Sequence, residues 1–277
     1  MNILITGANG YLAKNLIKEL ISKTDHSLIL LVRKNSNVDE LIQYVSIDKI
    51  IFYDGNIESL QKLHQLEIDL IFHLANYYPD SKRPAIEEEI VSSNYTLIVN
   101  IVTLLGDNNN IRIINITSYV IFDLHINSLY KDVKKRAYDY LLKKNCQNYV
   151  LYDTYGDSDP RPKLINYLID HSQNGVKLKM KHSKYSEINL VYIKDVINAF
   201  MIAIEKEQNE DICEVCCETI TLKEVVDIFN TISEKKVEVE WPEEDENKLL
   251  YPTDLKRPDG WKPRYNLAMG LTEILKP

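Results

Sequence analysis

Tyr130 and Lys134 stand four residues apart in a stretch, 128–143, whose pattern predicts a helix, so the two side chains share one helical face. A phenol titrates near ~10 when unperturbed, and an ammonium group beside it favours the phenolate. Such a pair can give or take a proton at a carbonyl or alcohol while a neighbouring nicotinamide exchanges hydride. The spacing alone is common by chance; its weight comes from what precedes it. Ser118 closes the segment 113–118, and its hydroxyl could hydrogen-bond the reacting oxygen. Thr117 competes for that role, and the alternative is that both hydroxyls only cap a strand end.

A second set of residues could hold an anion. Only 8 of 277 residues are glycine, well under the usual ~7%. Two of them, Gly7 and Gly10, fall in Thr6-Gly7-Ala8-Asn9-Gly10-Tyr11-Leu12-Ala13, between a first apolar run and a first helical pattern. There a diphosphate can approach the backbone and meet helix N-terminal N–H groups, which makes Gly7, Asn9, Gly10, Tyr11 and Leu12 candidate contacts. The second run ends in Arg33-Lys34-Asn35-Ser36. Arg33, Lys34 and Ser36 offer cations and a hydroxyl to a 2′-phosphate where an acidic residue would bind a free ribose hydroxyl, which favours NADP(H) over NAD.

The elements that must position these groups follow from the hydrophobic pattern. Unbroken apolar runs at 3–5, 28–32, 50–53, 70–74, 111–116 and 149–152 predict strands covered on both faces. Helical patterns at 11–22, 58–66, 85–105 and 128–143 alternate with them, which predicts a doubly wound parallel α/β sheet. Within 85–105, Asn94 falls in the apolar stripe, where it either braces backbone near the site or is a satisfied core amide. Beyond residue 155 shorter strands (176–180, 188–192, 212–217, 237–241) mix with helices at 194–207, 222–232 and 267–275. Residues 1–154 are thus expected to form the cofactor domain, with 188–206 returning to it, and 155–277 mainly a smaller α/β substrate lobe.

Composition excludes several classes. The formal charge of −8 argues against general nucleic-acid binding. No apolar run approaches the ~20 residues of a membrane span, and the first residues lack a basic leader, so a cytoplasmic protein is expected. Four cysteines are too few for a disulfide scaffold; Cys213, Cys216 and Cys217 are expected to be buried thiols. The six histidines follow no ligand spacing, so no metal is expected. The acidic cluster 243–246 is expected to be a solvated loop.

Together these residues resemble the short-chain dehydrogenase/reductase superfamily in its extended, nucleotide-sugar-modifying branch, a Rossmann fold. The resemblance rests on the glycine turn, His73-Leu74-Ala75, Asn94, Ser118, Tyr130 with Lys134, and a late Gly260-Trp261-Lys262-Pro263. Residues 151–164 are most similar to the subgroup of CDP-abequose and CDP-paratose synthases, which reduce the 4-keto group of a CDP-linked 3,6-dideoxyhexulose. The resemblance implies that Tyr130 is the acid, Lys134 holds the nicotinamide ribose, and Ser118 orients substrate. It also implies that Leu74, Ala75, Asn76 and Asn94 belong to the cofactor site. Asn56, followed by Ile57, stands where the family often places an Asp against adenine. Tyr155, Arg161 and Lys163, with Thr117 and Ser118, would face the sugar nucleotide. Two departures are visible: the Ser118-to-Tyr130 interval is short, and Asp153 replaces an Asn common near the substrate phosphate.

The expected activity is NADPH-dependent reduction of a nucleotide-diphospho-deoxyhexulose, CDP-linked 3,6-dideoxy or dTDP-linked 6-deoxy. The alternatives are an NAD-dependent 4-epimerase and a non-catalytic NADP-binding sensor or scaffold. A 4,6-dehydratase is disfavoured because Tyr119-Val120, not Asp-Glu, follow Ser118. The apolar faces of 86–105 and 128–143 suggest a homodimer, as in relatives of that branch.

Overall fold

Short runs of Ile, Leu and Val without polar alternation fold as strands buried on both faces. A computed structural model describes residues 1–80, 84, 86–106, 111–144, 146–242 and 255–276. The chain runs through β1 (Asn2–Thr6), α1 (Tyr11–Lys23), β2 (Ser27–Arg33), β3 (Ile50–Tyr53), β4 (Leu70–His73), α2 (Glu87–Val91), α3 (Leu97–Leu105), β5 (Arg112–Ser118), α4 (Leu129–Leu142) and β6 (Gln147–Leu151). It continues through β7 (Asp153–Tyr155), α5 (Leu164–Asn174), β8 (Leu178–Lys179), β9 (Glu187–Tyr192), α6 (Ile193–Glu205), β10 (Ile212–Val215), β11 (Thr219–Thr221), α7 (Leu222–Ile232), β12 (Val239–Glu240) and α8 (Leu267–Leu275). The acidic cluster 243–246 lies outside the described residues.

Seven parallel strands make the main sheet in the order β10-β6-β5-β4-β1-β2-β3. The chain moves outward from β1 to β3, then restarts at β4 and moves the other way. The switch between β1 and β4 opens a crevice at the carboxyl ends of the strands, where open α/β sheets bind ligands. On one face, Ile3, Ile5, Phe72 and Ile114 pack with Leu16 and Leu20 of α1 and Val196 and Phe200 of α6. On the other, Leu4, Ile71 and Ile113 meet Leu97, Ile98 and Ile101 of α3.

Three elements differ from the hydrophobic pattern. The segment 212–215, expected in the smaller lobe, pairs with β6 and completes the main sheet. The stretch 57–65 is a 3₁₀ helix rather than an α-helix: its buried Leu60 and Leu63 are three apart, the spacing that eclipses in a three-residue turn. The long helix after β4 is interrupted by a π-turn at Ser92–Thr96. There the fully buried Asn94 amide donates to the Ile90 carbonyl at 2.9 Å and competes with the helical ladder for it.

Outside the main sheet, β11-β9-β7 form a three-stranded sheet and β12 pairs with β8. This part is tied to α6 by Asp195, which is almost fully buried. Its carboxylate accepts the Arg264 and Tyr265 N–H groups at 2.9–3.0 Å, and its carbonyl accepts the Trp261 indole N–H at 3.0 Å. The Gly-Trp-x-Pro-like segment is therefore an anchor for α8. Asp195→Ala strands two backbone donors and is expected to cost about 2–3 kcal/mol, a fall in Tm of roughly 3–5 °C. An unchanged thermal unfolding curve would contradict the anchoring role.

Candidate active site

The crevice begins at the glycine turn. Gly7 has φ +64, and a Cβ there would sit 2.7 Å from Ala75 Cα, so only glycine lets the turn pass so close to the end of β4. Gly10 starts α1 with no side-chain cap and no acidic residue in the first turn, which leaves the positive end of the helix for an anion. The turn opens into a cleft of about 820 Å³. Gly7, Asn9 and Gly10 line it from the turn, Arg33, Lys34 and Ser36 from the end of β2, and Leu74, Ala75 and Asn76 from the end of β4. A glycine turn packed against Ala75 after β4, an uncapped helix N-terminus and a cleft of this volume fit a dinucleotide.

Not every expected cofactor residue faces this cleft. Asp54 and Gly55 contribute its wall where Asn56 was expected; the exposed Asn56 turns its N–H to Asp54 Oδ1 at 3.1 Å, and Ile57 begins the 3₁₀ helix. The Tyr11 side chain points away, its hydroxyl donating to the Asp157 carbonyl at 3.0 Å, so what Tyr11 and Leu12 present to an anion is backbone at the start of α1. Asn94 has no exposed surface: its amide holds Tyr77 through the backbone N–H (3.2 Å) and carbonyl (2.9 Å), which braces the chain one residue from Asn76.

Asn76 also joins the cleft to the acid–base pair. The Tyr130 hydroxyl donates to Asn76 Oδ1 at 3.0 Å, and the Tyr78 ring meets Tyr130 edge-on with centroids 4.9 Å apart. One turn along α4, the buried Lys134 ammonium donates to the Ile116 carbonyl at 3.0 Å. Burial lowers its pKa to about 8. His73, wholly buried, shares a 2.8 Å hydrogen bond between Nδ1 and Thr6 Oγ1. Burial, then the Lys134 charge, lowers that imidazole to about 3, so it stays neutral.

The two candidate hydroxyls on β5 separate by strand alternation. Thr117 is 3% exposed, on the same face as Ile113 beneath α4, and its Oγ1 finds no partner among the described residues. Ser118 is more exposed and accepts the Val120 N–H at 3.5 Å. Ser118 is thus the less buried of the two hydroxyls. The short connection from there to α4 is tied down by Lys131, whose ammonium binds the Asp123 and Ile126 carbonyls.

The expected sugar-nucleotide contacts need correction. Tyr155 is 2% exposed and packs on Tyr192 and against Gly270 of α8, leaving no face for a ligand. Arg161 is bound to both Asp159 oxygens (2.7 and 2.6 Å) and to Thr154 Oγ1, and lies over the Tyr11 ring, so it fastens a loop to α1. Lys163 is 3.3 Å from Asp153. Burial lowers its ammonium and Asp153 offsets part of that. Burial raises the Tyr78 phenol, and the Asp153 charge adds to that shift. The thiols of Cys213, Cys216 and Cys217 are pushed up by burial to about 11, 11 and 12, outside the reactive range.

A model of the NAD dependent epimerase/dehydratase family matches residues 3–216. CDP-abequose synthase of Yersinia pseudotuberculosis is 30% identical over 254 residues, 86% of each chain. The dTDP-4-dehydro-6-deoxyglucose reductase of Escherichia coli is 21% identical over 99% of this chain and 96% of its own. Among solved structures, UDP-glucuronic acid 4-epimerase from Bacillus cereus in complex with NAD superposes with a TM-score of 0.78 at 17% identity, covering 99% of this chain and 96% of that one. The chain belongs to the NAD dependent epimerase/dehydratase family and is an NAD(P)-dependent enzyme of the oxidoreductase type. Among the described residues no His, Cys, Asp or Glu side chains cluster as metal ligands, and no helix is long and apolar enough to cross a membrane.

The His73 shift has a measurable consequence. The unfolded imidazole takes a proton near 6.5, whereas the folded one resists until about 3. Between those values the unfolded chain binds more protons, so this contribution is fully present above ~6.5 and lost progressively as the pH falls toward 3. His73→Gln is expected to flatten the decline of Tm between pH 6.5 and 4.5; curves that fall in parallel for both proteins would contradict it.

Proposed function

We propose that the protein reduces the 4-keto group of a nucleotide-diphospho-deoxyhexulose with NADPH, the sugar being CDP-linked 3,6-dideoxy or dTDP-linked 6-deoxy. The observation that carries this reading is the 3.0 Å hydrogen bond from Tyr130 to Asn76, a residue that also lines the cofactor cleft. The phenol is thereby held where the cleft ends. A nicotinamide dinucleotide bound in the cleft supplies hydride to the substrate carbonyl carbon. Tyr130 gives its proton to the carbonyl oxygen, and Ser118 orients that oxygen from the end of β5. The buried Lys134 cation lowers the cost of the phenolate left behind and is placed to bind a ribose hydroxyl. Lys163, paired with Asp153 at 3.3 Å, offers a cation to the diphosphate.

Arg33, Lys34 and Ser36 support NADPH, and the name of the dTDP-4-dehydro-6-deoxyglucose reductase supports a 4-ketosugar rather than a 4-hydroxyl substrate. A second reading, an NAD-dependent 4-epimerase, is favoured by the acidic residues Asp54, Glu88 and Glu89 in the same cleft. The two differ in net cofactor consumption. Incubation with NADPH and a panel of CDP-, dTDP- and UDP-linked 4-ketosugars is expected to consume nicotinamide absorbance with at least one sugar. Interconversion of 4-epimers without loss of absorbance would establish the epimerase. Tyr130→Phe is expected to keep NADPH binding and lose roughly 10²–10⁴-fold in turnover; turnover close to wild type would remove Tyr130 from the acid role.

A further inference from the structure

The basic end of the cleft is not simply basic. Arg33, the last residue of β2, places Nη1 2.9 Å from Glu89 Oε2 on α2, across the opening. Both residues line the cleft, and the Arg33 guanidinium lies 5.9 Å from the Tyr77 ring, whose backbone Asn94 holds in place. Among the described residues Lys34 is the other lining cation, whereas Asp54, Glu88 and Glu89 line the cleft as carboxylates. Among the described residues, the groups that would meet the adenosine half of a dinucleotide therefore include two cations and three anions.

We propose that Glu89 is a specificity-determining residue that holds Arg33 away from a 2′-phosphate and narrows the preference for NADPH over NADH. The inference rests on the reading of this cleft as the dinucleotide site and deepens it. The Arg33 and Glu89 side chains are 61% and 41% exposed, and an exposed pair of this kind is weak, so Arg33 can be drawn to a phosphate. Recruiting it leaves the Glu89 carboxylate unpaired and facing a second anion across the same opening, which sets a penalty on NADPH alone. NADH carries no such phosphate, leaves the ion pair intact, and offers ribose hydroxyls that a carboxylate accepts. Glu89 occupies the first turn of α2, where the helix end stabilises its negative charge in either state.

The test is equilibrium binding of NADPH and of NADH, followed by nicotinamide fluorescence, to the full chain and to Glu89→Gln, Arg33→Ala and the double variant. Glu89→Gln is expected to tighten NADPH about three- to tenfold and to change NADH less than about twofold, with the gain shrinking at high salt. In the Arg33→Ala background the gain from Glu89→Gln is expected to fall below about half of that, because the cation it releases is gone. An equal shift for both cofactors, or none, overturns the role of Glu89 while leaving the cleft assignment standing. Failure of the unaltered protein to bind either dinucleotide overturns the cleft assignment itself.

Discussion

The site depends on a cation kept inside the protein. Lys134 is 4% exposed, and water is replaced around its ammonium by little more than the Ile116 carbonyl at 3.0 Å. The cost of that burial is visible in a pKa lowered to about 8. The main sheet makes the arrangement possible. The β4–β5 pairing ends at His73 opposite Asn115, so the last three residues of β5 run beyond their neighbour and leave backbone there for a side chain to use. The same overhang carries Ser118, the last residue of β5. His73, locked to Thr6 and neutral, puts a polar but uncharged ring beneath the lysine, where a second cation would repel it.

A single residue, Asn76, connects this buried charge to the cofactor cleft. It lies just past β4, accepts the Tyr130 hydroxyl, and follows directly on Ala75, against which Gly7 packs. The glycine turn, the end of β4 and the first turns of α4 are thus one contiguous surface, and the Asn94 clamp on Tyr77 holds its middle. A distortion at any of the three moves the other two. That coupling is why the π-turn, which costs regular helical hydrogen bonds, is placed where Asn94 can reach Tyr77.

Much of this was legible in the sequence because it is local. Unbroken apolar runs marked β1 to β6, the glycines marked the anion turn, and a four-residue spacing put Tyr130 and Lys134 on one face. The misplacements share a cause: each depends on what a distant segment supplies. Tyr155 and Arg161 look like ligand groups in a polar loop, but Gly270 and Tyr192 surround the first and Asp159 and Thr154 bind the second. Asn56 gives way to Asp54 and Gly55 because the chain turns into a tight 3₁₀ helix at residue 57. Glu89 had no visible signal, since its partner Arg33 lies 56 residues away in the chain. Tyr78 was missed for the same reason: its packing on Tyr130 is set by the fold.

The central claim, that this crevice passes hydride from a nicotinamide to a sugar carbonyl while Tyr130 supplies the proton, is tested most directly by isotope transfer. NADPH dideuterated at nicotinamide C4 would be incubated with the protein and a 4-ketosugar nucleotide, and the product read by NMR. One deuterium is expected at sugar C4 for each cofactor oxidised. A product that forms without deuterium at C4, and with no cofactor consumed, would contradict it.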